Sequence, residues 1–214
     1  MILSHLQALL NEFYDLPPSY DIYDFLITDE TLAGALNAGG RSVDEKLLIC
    51  EDGTEACVSL YLDPGLVERL GNDDPLARLS ESNLPDFWMA LEGVSHFAYF
   101  AYRAGVEKPV TLLEMELQAE VDKFVATAML LHRQGERPPR SLHHWLFQLP
   151  TYGADLSPAE LERYEYANYY AARYCAALWP RLATTFRSTE LQPELRRFYR
   201  YSQPAKIGHI RAQG

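Results

Sequence analysis

Residues 84–133, LPDFWMALEGVSHFAYFAYRAGVEKPVTLLEMELQAEVDKFVATAMLLHR, dictate the architecture. The spacing predicts a helix over 84–103, opened by Asn83 with Pro85 in its first turn. Phe87, Leu91, Val94, Phe97, Ala98, Ala101 and Tyr102 cover most of its circumference, as expected of a helix central to its domain. One narrow stripe is polar: Glu92, Ser95, His96, Tyr99 and Arg103. It either meets solvent or lines an internal site. Thr111 and Glu114 make a capping-box pattern that opens a second helix, 112–133. Leu113, Leu117, Val121, Phe124, Ala128 and Leu131 form its seam, with Glu120 close to that seam and Glu116 further out.

The connection 104–110 is short, so the two helices are read as antiparallel neighbours. Facing residue numbers then sum to roughly 214 by hairpin geometry. His96 falls at the level of Gln118, and Glu92 near Asp122. Glu92, His96, Glu116 and Glu120 can therefore converge, and three carboxylates with an imidazole suit a divalent cation. A buried structural network of Glu92 or Glu120 with His96 and Arg103 needs no metal and explains the same residues. The Glu-x-x-His pairs of di-iron bundles are absent.

On the N-terminal side, Leu6, Leu9, Leu10 and Phe13 predict a helix over 4–14. YDIYDFLIT (20–28) reads as a strand, and 29–38 as a short helix ending at Gly39-Gly40. The apolar runs on either side of Glu51-Asp52-Gly53-Thr54 make a hairpin over 47–62. Asp63-Pro64 then starts a helix that Gly71 closes. On the C-terminal side, 135–157 is loop-rich with one short helix over 142–147. Ser157-Pro158-Ala159-Glu160 starts a helix running to Trp179, where Pro180 ends it. Leu195 to Tyr201 is helical, and Ser202-Gln203-Pro204 releases a tail. The expected fold is mainly α (α+β), a helical bundle with a small N-terminal β-hairpin/αβ portion. It forms one domain over 1–214, divisible into an αβ portion 1–80, a bundle 81–201 and a tail 202–214.

The chain is 48% hydrophobic, enough for a sizeable core, and carries a net charge of −11. The charge is polarised. Residues 1–100 hold 18 acidic and 4 basic side chains, whereas 181–214 hold two acids against seven bases. The acidic balance disfavours a generic nucleic-acid or anionic-membrane coat. Nucleic acid remains an option only through the basic C-terminal segment. Arg196, Arg197, Arg200, Lys206 and Arg211 there are candidate anion contacts, or else dock the segment on the protein's own acidic body. With three cysteines, no apolar run of about 18 residues and no basic leader, the expected compartment is cytoplasmic. Cys50, Cys57 and Cys175 read as small buried apolar residues, with a redox pair at 50 and 57 dependent on hairpin register.

Familiar catalytic patterns are missing. Ser95 and His96 point about 100° apart on one helix and cannot pair. Gly39-Gly40 lacks the spaced glycine and lysine of a phosphate loop. His143-His144 has no partner at ligand spacing. The helix after Ser157 is rich in tyrosine, and Tyr166, Tyr169, Tyr170 and Arg173 make a candidate partner surface. The leading expectation is a non-catalytic interaction or regulatory protein that contacts another protein or a second copy of itself. The alternative is a helical-bundle enzyme or ligand-binding protein built on Glu92, His96, Tyr99, Arg103, Glu116 and Glu120. No cofactor is expected beyond a divalent metal on Glu92, His96, Glu116 and Glu120.

Overall fold

The computed structural model describes residues 1–17, 20–37, 43–52, 55–150, 152–153, 155–184 and 191–213. It is mainly helical, with a small three-stranded sheet. The two central helices are α4 (Leu84–Gly105) and α5 (Leu112–Arg133). They follow α1 (Ile2–Tyr14), α2 (Glu30–Leu36) and α3 (Pro64–Asn72). After them come α6 (Leu142–Phe147), α7 (Pro158–Thr184), α8 (Leu191–Arg200) and α9 (Gln203–Ala212). Almost every residue of α5 from Glu114 to Leu131 is buried, because α4 packs on one side and α7 on another. Phe87, Leu91, Val94, Phe97, Leu117, Val121 and Phe124 meet there in the core, each stabilising the fold by about 1.5–3 kcal/mol. Thr111 Oγ1 accepts from Glu114 N at 3.1 Å, so half of the capping box forms. The Glu114 carboxylate instead accepts from the buried Tyr99 hydroxyl at 2.6 Å.

The sheet runs β1 (Leu26–Ile27), β3 (Glu55–Leu62), β2 (Glu45–Asp52), with β1 parallel to β3 and β2 antiparallel to it. The predicted strand over 20–28 shrinks to two residues. Asp21 Oδ1 accepts from Tyr23 N at 3.0 Å and turns Ile22–Asp24 into a 3-10 turn first. Gly39-Gly40 and the hairpin tip Gly53-Thr54 lie outside the described residues. Gly93, in the middle of α4, has a clear purpose. A Cβ there would lie 2.9 Å from Glu45 Cγ and 2.9 Å from Leu60 Cδ1. The missing side chain lets the hairpin close onto α4 and brings Glu45 to it.

Two C-terminal expectations are corrected. Helix α7 runs through Pro180 to Thr184, because Leu178 and Leu182, one turn apart, are both fully buried and hold the last turn to the core. Residues 202–213 are not a released tail: Pro204 lies in the first turn of α9, where its missing N–H costs nothing. Among the described residues, the arginines of α8 and α9 bond to the protein itself. Arg196 donates to Phe13 O at 3.2 Å, Arg200 to Asp15 O at 3.2 Å, and Arg211 to the Tyr170 hydroxyl at 2.9 Å. Arg197 pairs with Glu194.

Lys206 is fully buried and donates to Gln118 Oε1, with its ammonium 4.8 Å from the Tyr99 ring centre and 4.4 Å from that of Phe198. It is therefore not a surface anion contact. Gln118 also donates to Asp122 at 2.8 Å; Asp122 further accepts from Ser95 at 2.5 Å and from Tyr14. Burial pushes the Asp122 carboxyl up to about 6, against the hydrogen bonds of Ser95, Tyr14 and Gln118. Burial holds the Lys206 amine down to about 7 from 10.5; the charges of Glu114 and Asp122 oppose this and Arg103 adds to it. Between those two values the unfolded chain keeps a proton that the folded chain has lost, so this group makes stability rise with pH across that window. The stability of the wild type minus that of Lys206→Met should accordingly increase from pH 7 to 10, by at most about 1.4 kcal/mol per pH unit. Urea titrations at several pH values measure it, and a flat difference would refute the burial account.

Candidate metal centre

His96 projects from α4 into a ring of acidic side chains and is 6% exposed. Its Nδ1 lies 3.4 Å from Glu45 Oε1 and its Nε2 lies 3.4 Å from Glu116 Oε2. Both contacts exceed the usual 2.7–3.2 Å of such hydrogen bonds. Nε2 is buried without a hydrogen-bond partner. One turn earlier, Glu92 lies on the same face, and ligand atoms of Glu45, Glu92 and His96 all fall within 4.8 Å of one another. Each of the three comes from a regular element, two from α4 and one from the start of β2.

Across the cluster, Lys123 of α5 is nine-tenths buried and donates to Glu92 Oε2 at 2.9 Å and to Glu120 Oε1 at 2.6 Å. Arg163 of α7 brings its Nε within 3.6 Å of Glu116 Oε1 and lies over the Tyr164 ring. Four carboxylates thus face two fixed cations, a surplus of negative charge in poorly hydrated surroundings. The titration behaviour follows. Burial pushes the carboxyls of Glu45 and Glu120 above their ordinary values. Glu92 ends below its ordinary value because Lys123 outweighs its burial. At His96 burial is outweighed by Glu116 and Glu45, which hold the imidazolium well above its ordinary range. Two carboxyls, through burial, and the imidazole, through its carboxylate neighbours, shift toward holding protons.

The polar stripe of α4 therefore faces inward but divides between two sides. Glu92 and His96 enter the acidic ring with Glu116 and Glu120. Tyr99 and Arg103 do not. Tyr99 turns to Glu114, and Arg103 donates to Pro109 O at 2.7 Å and lies 3.6 Å from Glu114, tying down the α4–α5 connection. Facing pairs are Glu92–Lys123, Ser95–Asp122, His96–Glu116 and Tyr99–Glu114. Asp122 thus faces away from Glu92, into the Lys206 network. Sequence reasoning left out Glu45, Lys123 and Arg163. For Glu45 the available signal was Gly93, since a glycine inside a helix marks a close approach.

On α7, Tyr166 and Tyr169 are 48% and 52% exposed, and Arg173 is exposed beside Tyr169, whereas Tyr170 is buried and does not belong to a surface. Cys50 and Cys57, expected to be buried, are exposed; Cys175 is buried. No described helix is long and apolar enough to cross a membrane.

No family model, curated protein or solved structure matches this chain.

Proposed function

We propose that the protein binds one divalent transition-metal ion through Glu45, Glu92 and His96, with Glu116 beside the imidazole and Glu120 held in reserve by Lys123. The carrying observation is the buried His96 ring, with Nδ1 3.4 Å from Glu45 and Nε2 3.4 Å from Glu116, in a cluster where ligand atoms of Glu45, Glu92 and His96 lie within 4.8 Å of one another. The distances support it: two ligands about 2.1 Å from a tetrahedral ion lie about 3.4 Å apart. Mixed imidazole and carboxylate donors suit Mn2+, Fe2+ or Zn2+ better than Ca2+, which takes six to eight oxygens. Three protein ligands leave coordination positions for water or a substrate oxygen, the arrangement of a catalytic site rather than a closed structural one. The test is titration of chelator-treated protein with Mn2+ and with Zn2+, followed by calorimetry and metal analysis. One equivalent should bind, and because the imidazole must be neutral to ligate, binding should release protons and tighten as pH rises. Absence of stoichiometric uptake of either ion defeats the reading.

A second reading, a contact protein, is favoured by the exposed Tyr166 and Tyr169 beside Arg173. Replacing both tyrosines by serine should leave stability within about 0.5 kcal/mol, since neither is in the core. Self-association measured by sedimentation should fall; an unchanged distribution removes the self-association form of this reading.

A further inference from the structure

We propose that Cys50 and Cys57 are a reversible redox pair that closes a cross-strand disulfide when a peroxide reaches the hairpin. The uninterrupted β2–β3 register, from Glu45 opposite Leu62 to Asp52 opposite Glu55, sets Cys50 directly across from Cys57. Directly opposed residues project to the same face of a sheet. Their Cα atoms are about 4.5–5.5 Å apart in an antiparallel pair, inside the about 4.4–6.8 Å that a disulfide spans. Both thiols are free and exposed.

The reason for that exposure is local. On the same face, Leu48 and Tyr61 are buried with Ala33 of α2 and backed by Ile27. That cover reaches Leu48 and Tyr61 and does not extend to the cysteines further along the hairpin. An exposed cross-strand disulfide is of the labile, reducible type rather than the inert structural type. Charge selects the oxidant. The first hundred residues carry 18 acids against 4 bases, which repels anionic disulfides such as oxidised glutathione and leaves neutral hydrogen peroxide unhindered.

The chemistry balances with peroxide as the two-electron oxidant. One cysteine, as thiolate, attacks a peroxide oxygen; the O–O bond breaks, giving a sulfenic acid and, after proton uptake, water. The opposed thiol then attacks the sulfenic sulfur, forming the S–S bond and releasing the hydroxyl as a second water. Two thiols and one peroxide become one disulfide and two waters. Cys175, fully buried and with its thiol pushed well up by burial, takes no part and serves as an internal reference.

The test uses the full chain, reduced and then exposed to one to a few equivalents of hydrogen peroxide. Expected are a monomer lighter by about 2 Da, loss of both maleimide-reactive surface thiols, a linked peptide joining Cys50 to Cys57, and complete reversal by dithiothreitol. In Cys50→Ser the lighter species should vanish, and Cys57 should instead gain oxygen or link two chains. The proposal is overturned if the wild type yields oxygen adducts or disulfide-linked dimers without the lighter monomer. It is equally overturned if both surface thiols survive the peroxide.

Discussion

Replacing His96 with alanine is expected to weaken Mn2+ or Zn2+ binding by at least about 100-fold, since even outer-shell partners of a metal cost 10- to 100-fold when removed. The imidazole is the only nitrogen donor in the cluster formed by Glu45, Glu92 and His96. The two glutamates that remain hold an ion only as an exposed acidic pair would. Loss of the imidazolium also leaves Glu45 and Glu116 with less compensating charge, so the variant must be shown to be folded. Glu45→Gln supplies the independent check. It keeps the shape of the hairpin contact at Gly93, removes one ligand charge, and should likewise reduce affinity at least tenfold. If both variants bind like the wild type while circular dichroism shows them folded, the ion lies elsewhere or the ring is purely structural. Isothermal titration with each ion distinguishes these results.

Lys123→Met is expected to be the most destabilising single change at the site, costing about 3–5 kcal/mol. Methionine matches the stem of lysine in length and leaves little cavity, so the loss comes almost entirely from charge. Lys123 contacts Glu92 at 2.9 Å and Glu120 at 2.6 Å, and without it two carboxylates face each other with no cation between them. A loss of that size lowers the melting temperature of a protein of this length by about 10 °C. Calorimetry in the presence of a chelator measures it. Added Mn2+ should restore part of the lost stability, because a bound cation stabilises the folded state that holds it. A loss below about 1 kcal/mol would mean that Lys123 is not the counter-ion its contacts make it.

Much of this arrangement was legible in the α4–α5 hairpin alone. Helical period and a short connection place His96 at the level of Gln118 and Glu92 near Asp122, within two residues of the observed partners Glu116 and Lys123, because both follow from rise per residue. What period cannot give is rotation about the helix axis, and that decides which neighbour a side chain meets. Period alone therefore matches Glu92 to Asp122, although Lys123 is the residue that turns toward it. Tyr99 and Arg103 were grouped with His96 although they point at Glu114. Glu45 was out of reach for a different reason: it lies 47 residues from Glu92 and arrives through strand packing, for which the sequence carries only Gly93 as a mark. At the C-terminus the punctuation of the sequence is ambiguous. Ser202-Gln203-Pro204 reads as the end of one helix, yet the same three residues are a good beginning for the next.

The network around Lys206 joins α1, α4, α5 and α9 at one point, with Tyr14, Ser95, Gln118 and Asp122 all on the N-terminal side of the residue that completes it. A ribosome delivers those four well before it delivers Lys206, at roughly 5–20 residues per second. During that interval Asp122 has no Lys206 amine nearby, and a chain ending short of residue 206 lacks two of the seven bases of residues 181–214, Lys206 and Arg211. The polar network that Tyr14, Ser95, Gln118 and Asp122 begin is therefore closed only when the last helix has emerged. A chain stalled before residue 206 lacks α9 and leaves Gln118 Oε1, in the middle of α5, without the donor that the complete chain gives it.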